Sequence, residues 1–463
     1  LVAVVSIPML IDALGTERFG LLALIWAVVS YFGLFDLGLG RAMTQQLAVA
    51  FANEEPDRVA PLVATATVLM AALGVFAGVF MAVIAPWGVG LVHDIPDQQE
   101  AIKAVYAMAL ATPAIVLTSG FRGILESRHA FGIVNLIRLP MGLFTFLGPL
   151  AVVVYGQARL DWIAGVLTAG RVLACIVYAW YAWRVLPRDH GPFAVRVKLL
   201  RPMYVSGGWM TVSNIISPFM SYVDRFIIGG VVSASAVAYY TTPQELVTKL
   251  WIVPGALTTV LFPTFAMQIT QSDEQIWALF KKAVHWLFVA LLPLSVAIML
   301  FAHELLSLWI NPEFASHSAI LLRIFAVGIL INSIAHVPFT LIQSAGAPRL
   351  TALAHAAELP FFLGVLWWLT SVYGVLGAAI AWLLRTVVDT GLMFALCSPL
   401  LGHPAKSLLN ARVLGMALLG AAAFAGALFQ PLAIRAIWLA AVLCLAGLTL
   451  VPAGTFARTR RTT

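Results

Sequence analysis

Apolar stretches of membrane-spanning length recur about fourteen times along the chain, separated by short polar breaks. A bilayer core of roughly 30 Å needs about 20 apolar residues in a helix rising about 1.5 Å per residue. The composition agrees: 62% of the 463 residues are hydrophobic, 10% are charged, and the mean hydropathy is +0.97. No segment is left for a sizeable water-soluble domain. The chain therefore reads as an all-α polytopic membrane protein. Most enzyme classes fall away, and transport becomes the first functional hypothesis.

The spans are expected at 1–13, 20–40, 61–85, 101–121, 131–156, 161–183, 203–231, 240–262, 283–307, 318–339, 350–371, 374–396, 411–431 and 433–453. The breaks hold helix-ending and turn residues: Gly15 to Gly20, Asn53 to Asp57, His93 to Gln99, Pro187 to Pro192, Asn311 to Pro312 and Gly346 to Pro348. Leu1 to Ile11 reads as the tail of a first span that starts upstream. It has neither the charged n-region nor the small-residue cleavage site of a signal peptide. The longest break, 184–202, is polar and basic and includes Pro187 and Pro192, as a linker would. This suggests an N-terminal lobe of six spans over 1–183, a cytoplasmic linker over 184–202 and a C-terminal lobe of six spans over 203–396. Two extra spans and a basic tail then occupy 397–463. The stretch Gly415 to Ala427, rich in Gly and Ala, suits close helix packing.

Lysine and arginine set the orientation. With the first span starting inside, 18 of the 27 fall in or beside inner breaks and the tail, against 5 in or beside outer breaks and 4 deeper within spans. Cytoplasmic loops carry such an excess, so both termini are expected in the cytoplasm. The same rule accounts for the net charge of +7 without nucleic-acid binding. Cys175, Cys397 and Cys444 are far apart and fall in expected spans, so they read as small apolar core residues.

Three breaks repeat at offsets of 217 to 220 residues. Ile124-Leu125-Glu126-Ser127 matches Leu341-Ile342-Gln343-Ser344. Val92-His93-Asp94 matches Ile310-Asn311-Pro312, and Gly15 to Gly20 faces Ser235 to Tyr240. Six spans separate the copies, so they share one orientation. Parallel repeats of this kind are related by an axis along the membrane normal, and two such lobes can enclose a central cavity for alternating access.

Charge inside a span is costly and usually faces a cavity or a partner. Arg171 and Arg385 lie near mid-depth in the sixth and twelfth spans, which correspond under the repeat. Together they could hold an anion, since guanidinium matches phosphate geometry. Asp389, four residues after Arg385, could instead pair with it along the helix. Asp224, Arg225, Glu245 and Lys249 could form an outer network serving as gate, substrate contact or coupling-ion site, or simply as structural pairs. Asp36, Arg41 and Arg122 sit at inner span ends, where arginines could receive a phosphate or act as positive-inside anchors. His336 and His355 could form a proton relay or be ordinary satisfied histidines. No P-loop, His-Glu-x-x-His or Gly-x-Ser-x-Gly motif is present, so energy would come from an ion gradient, substrate supply or a partner.

Pro8-Met9-Leu10, Leu14-Gly15, Phe19-Gly20-Leu21 and Asp36-Leu37-Gly38-Leu39 resemble the amino-terminal signature of bacterial polysaccharide flippases. That family belongs to the multidrug/oligosaccharidyl-lipid/polysaccharide exporter superfamily. Asp224-Arg225-Phe226-Ile227-Ile228-Gly229, followed by Tyr239 or Tyr240, is similar to its seventh-span pattern. The resemblance covers nearly the whole chain. It implies flipping of undecaprenyl-pyrophosphate-linked oligosaccharide across the bacterial inner membrane by alternating access, without catalysis, metal or cofactor, with H+ or Na+ as coupling candidates. Asp36, Asp224, Glu245 and Asp389 would be gate or coupling residues; Arg41, Arg122, Arg171, Arg225, Lys249 and Arg385 would attract the substrate. The implied partners are the lipid-linked oligosaccharide, membrane lipids, and polysaccharide polymerase and chain-length proteins. A cation-coupled multidrug exporter and a lipid II flippase are the nearest rivals, and a membrane polymerase or glycosyltransferase the enzymatic one.

Overall fold

The structure is a computed structural model that describes residues 2–32, 39–186, 192–196, 216, 219–268, 273–402, 411–426 and 431–450. Helices and short turns account for almost all of them, and the described residues contain no strand. The first six helices are α1 (Val2–Phe32), α2 (Leu39–Ala52), α3 (Pro56–Gly90), α4 (Gln98–Ser127), α5 (Phe131–Tyr155) and α6 (Leu160–Val185). After the helical residues 219–231 come α7 (Ala234–Thr248), α8 (Ile252–Gln268), α9 (Asp273–Leu300), α10 (Ala302–Trp309), α11 (Pro312–Ser344), α12 (Pro348–Cys397), α13 (Ala411–Ala425) and α14 (Leu432–Leu450). Eight stretches among the described residues, the long α12 counted once, have the length and apolarity to cross a bilayer. The chain is a multi-pass membrane protein.

The breaks foreseen in the sequence become helix caps. Asp97 accepts from the backbone N–H groups of Gln99 and Glu100 at 2.9 and 3.1 Å, and Asn311 accepts from Phe314 at 2.7 Å. Each satisfies donors that a first turn leaves without helical partners. Pro56, Pro312 and Pro348 open their helices, where the missing N–H costs nothing.

The 50 residues of α12 would make a straight helix about 75 Å long, more than twice the bilayer core. They do not run straight. Gly374 has φ 59° and ψ −139°, which breaks the helix. A Cβ on Gly377 would lie 1.9 Å from the carbonyl oxygen of Leu369, eight residues back. His355 Nε2 reaches Asp389 Oδ1 at 3.3 Å, although a straight helix would hold these residues about 50 Å apart. So α12 is an antiparallel hairpin of two spans, matching 350–371 and 374–396. Gly374 supplies the positive φ and Gly377 the room for close approach. Likewise Gly15, at φ 76° and ψ 164°, divides α1 where the first two spans were expected to part.

The chain forms two compact units, Leu1–Thr241 and Thr242–Thr463. The expected linker at 184–202 lies mostly outside the described residues. Residues 219–231, which the sequence groups with the C-terminal lobe, pack in the first unit. Backbone hydrogen bonds tie them there: His93 donates to Gly229 at 3.1 Å, and Ala234 donates to His93 at 3.1 Å.

Within the first unit, breaks of equal expected sidedness meet. Arg18 bonds Glu100 at 3.2 Å, and the N–H of Leu160 also donates to Glu100. Thr16 lies 3.5 Å from Ser235, so one pair of repeat-related breaks is in direct contact. All of these belong to breaks expected outside. At the opposite ends, Leu39, Leu47, Val59, Ile124, Ala182 and Leu186 share one apolar cluster, and Arg128 lies 4.7 Å over the ring of Phe51. These belong to breaks expected inside. In the second unit the core gathers Phe265, Phe280, Leu287, Leu341 and Met393. Arg435 of α14 caps the last carbonyl of α9, Leu300 O, at 2.6 Å and pairs with Glu304 at 2.6 Å.

Candidate functional site

The candidate site is the set of charged groups that the spans carry below their ends. In the first unit Arg171 lies eleven residues into α6, about 16 Å along the axis. It is partly buried and has neither a hydrogen bond nor an ion pair among the described residues. Its helix is held to α4 one turn earlier, where Thr168 donates to the Ala107 carbonyl at 2.8 Å. A guanidinium in a span without an anion of its own is suited to binding one.

Asp224 and Arg225 are almost fully buried, at 0% and 5% exposure. The Asp224 carboxylate accepts from the Tyr240 hydroxyl at 2.7 Å and from the Arg225 backbone at 2.8 Å. The Arg225 guanidinium lies 5.1 Å over the Tyr222 ring. The resemblance picked out Asp224, Arg225 and a tyrosine at 239 or 240. The structure selects Tyr240 as the hydroxyl that reaches Asp224. Arg122 pairs with Glu126 at 3.4 Å along α4, with both side chains well exposed. Arg41 falls in the first turn of α2, and Asp36 lies outside the described residues.

In the second unit Glu245 and Lys249 make an i,i+4 ion pair at 2.8 Å. Arg385 lies 5.3 Å over the Phe362 ring, across the α12 hairpin. Asp389, one turn further on, approaches His355 at 3.3 Å. His336 on α11 lies within electrostatic range of the same acid. The residue that sequence reading missed is Glu358. It lies three positions after His355 on the same helical face, inside an apolar stretch, and is 8% exposed. An acid at that spacing from a span histidine was the available signal.

A bundle of apolar helices carrying charged groups at span depth is the architecture of a membrane transporter. The comparisons sharpen that class. Residues 13–319 match the family model described as polysaccharide biosynthesis protein. A Shigella flexneri protein bearing the name O-antigen transporter is 32% identical over 400 residues, covering 85% of this chain and 93% of its own length. A Haloferax volcanii protein named as a low-salt glycan biosynthesis flippase is 23% identical over 245 residues, half of this chain and 51% of its own. Among solved structures, an inward-facing multidrug resistance MATE family transporter of the MOP superfamily superposes with a TM-score of 0.76 at 15% identity, over 87% of this chain and 95% of that one. The chain belongs to the polysaccharide biosynthesis protein family, shares the fold of MOP superfamily transporters, and is a transporter rather than an enzyme.

Proposed function

We infer that this protein flips lipid-linked oligosaccharide units from the cytoplasmic to the outer leaflet of a bacterial inner membrane, for assembly of surface polysaccharide. The observation that carries this is the match to the O-antigen transporter over nearly the whole of both chains. Arg171 supports an anionic cargo, because a phosphate-bearing headgroup would complete a guanidinium that has no anionic partner among the described residues. In this reading the headgroup and sugars cross through a polar path while the prenyl tail stays in lipid. Both termini face the cytoplasm, as the lysine and arginine bias requires. Energy comes from an ion gradient or from consumption of the flipped product by a polymerase and its chain-length partner. The likeness to multidrug transporters concerns architecture, and the Arg171 cation in α6 is the wrong charge for a cationic drug.

The test is to delete the gene, complement with wild type or Arg171→Ala, and assign lipid-linked units to a leaflet by their accessibility to an added glycosidase. Units trapped inside in the deletion, released by wild type and at least tenfold less by Arg171→Ala at equal protein level, support both the cargo and the arginine. Normal surface glycan with raised drug sensitivity in the deletion would overturn the reading in favour of drug export.

A further inference from the structure

We propose that His355, Glu358 and Asp389 form a binding site for one divalent transition-metal ion of the zinc class, clamping the two arms of the α12 hairpin. The inference goes beyond flipping and stands on this geometry. One donor atom from each of the three residues lies within 4.8 Å of the others, and all three are buried. His355 and Glu358 are i,i+3 on one arm, so they project from one face, and Asp389 meets them from the other arm.

Two observations point to a ligand. Glu358 is more than nine-tenths buried, and neither of its carboxylate oxygens has a hydrogen-bond partner among the described residues. Such a group inside a helix bundle either takes up a proton or is matched by a cation, and a metal held beside it supplies the second. The second lies between His355 and Asp389. Their facing atoms are 3.3 Å apart, yet Asp389 Oδ1 makes no hydrogen bond, so the contact lacks the alignment of an N–H donor. The separation matches the donor–donor edge of a tetrahedral site with bonds of about 2.0–2.1 Å, which is about 3.3 Å.

The donor set selects the class of ion. An imidazole with two carboxylates suits zinc and its divalent neighbours, whereas hard cations favour oxygen alone. Two carboxylates also balance a double charge. The Phe339 ring lies near-parallel to His355 at 6.4 Å between centroids, and His355 Nδ1 has no hydrogen-bond partner among the described residues. The other charged and titratable groups facing the site are Arg385 on the hairpin and His336 on α11. Arg385 lowers affinity for any cation without removing the donors. The site is about two turns from Pro348 and from Cys397, so it joins the hairpin arms near the end remote from Gly374.

The full-length protein in nanodiscs, stripped with a chelator, should be equilibrated with Co2+ and read by metal content and visible absorption. Wild type is expected to hold one Co2+ per chain with a tetrahedral-type band that Zn2+ abolishes and excess Na+ does not. Glu358→Gln, which keeps shape and removes charge, should weaken binding at least tenfold, as should His355→Gln and Asp389→Asn. Each variant is checked for an unchanged elution profile, and Glu358→Gln for unchanged melting in the stripped state. Absence of stoichiometric Co2+ from wild type, or equal binding by a folded Glu358→Gln, overturns the proposal. So does displacement by Na+ at equal ionic strength. Binding is read without transport, so this failure and failure of the flipping assay remain separate results.

Discussion

The two units treat their buried acids in opposite ways. In the first, acids are satisfied: Glu100 receives Arg18 and the Leu160 backbone, and Asp224 receives Tyr240 and its neighbour's N–H. The group left over is a cation, Arg171. In the second unit the groups left over among the described residues include acids, Glu358 and Asp389 beside His355, together with the buried Nε of Arg323 in α11. Repeats that began with one sequence would have begun with one charge pattern. Arg171 in one unit and the acid–imidazole cluster in the other are the groups on which the proposed cargo anchoring and the proposed metal binding rest. The difference also shows that a charge alone says little about function in a span. Its partners decide.

The largest effect should come from the hairpin that assembles the acidic cluster. Gly377→Val places a Cβ where the Leu369 carbonyl already lies, and that backbone cannot yield without opening the hairpin. The expected cost exceeds about 4 kcal/mol, seen as loss of monodisperse protein on detergent extraction. Gly364→Val in the same helix is the control, since nothing lies within 4 Å of its Cβ position, and it should extract normally. Equal behaviour of the two would mean that the close approach is not what holds the cluster together. Next is Glu100→Ala in the first unit. It removes a 3%-exposed carboxylate and leaves Arg18 and the Leu160 N–H without their acceptor, at an expected cost of about 2–3 kcal/mol in unfolding free energy. A negligible change would contradict the view that first-unit acids serve as structural ties.

Much of this architecture was legible in the chain. Hydropathy placed the helices because a bilayer fixes their length, and glycine and proline placed the breaks because few residues tolerate those backbone angles. Gly15 and Asn311-Pro312 behave as read. The phase of the breaks was legible too: Arg18, His93 and Ala234 come together at one set of ends, Phe51 and Arg128 at another. Side-chain partnership was not. Nothing local tells that Arg18 meets Glu100 across 82 positions, or that Asp389 turns to His355 although Arg385 is only one turn away on its own helix. Those choices depend on how helices rotate against each other, and a span hydrophobic on nearly every face leaves rotation unmarked. Glu358 was overlooked because its neighbours are apolar, although that is what makes an acid there significant.

The two smallest predictions test whether burial decides the worth of a charged contact. Tyr240→Phe removes a buried hydroxyl from Asp224 Oδ2, and Asp224 has no exposure through which water could replace it. The expected loss is about 1–2 kcal/mol in unfolding free energy. Lys249→Ala removes an ion pair of similar length, 2.8 Å against 2.7 Å. Its side chains are 61% and 33% exposed, and solvent and side-chain entropy cancel most of the attraction. Less than about 0.5 kcal/mol should be lost. Distance alone predicts equal effects, and burial predicts the tyrosine to matter several-fold more. If Lys249→Ala instead reduces leaflet transfer while leaving stability unchanged, the exposed pair is a substrate or gating contact. The contrast between the units would then no longer be one of satisfied against unsatisfied charge, because a satisfied pair would be carrying function.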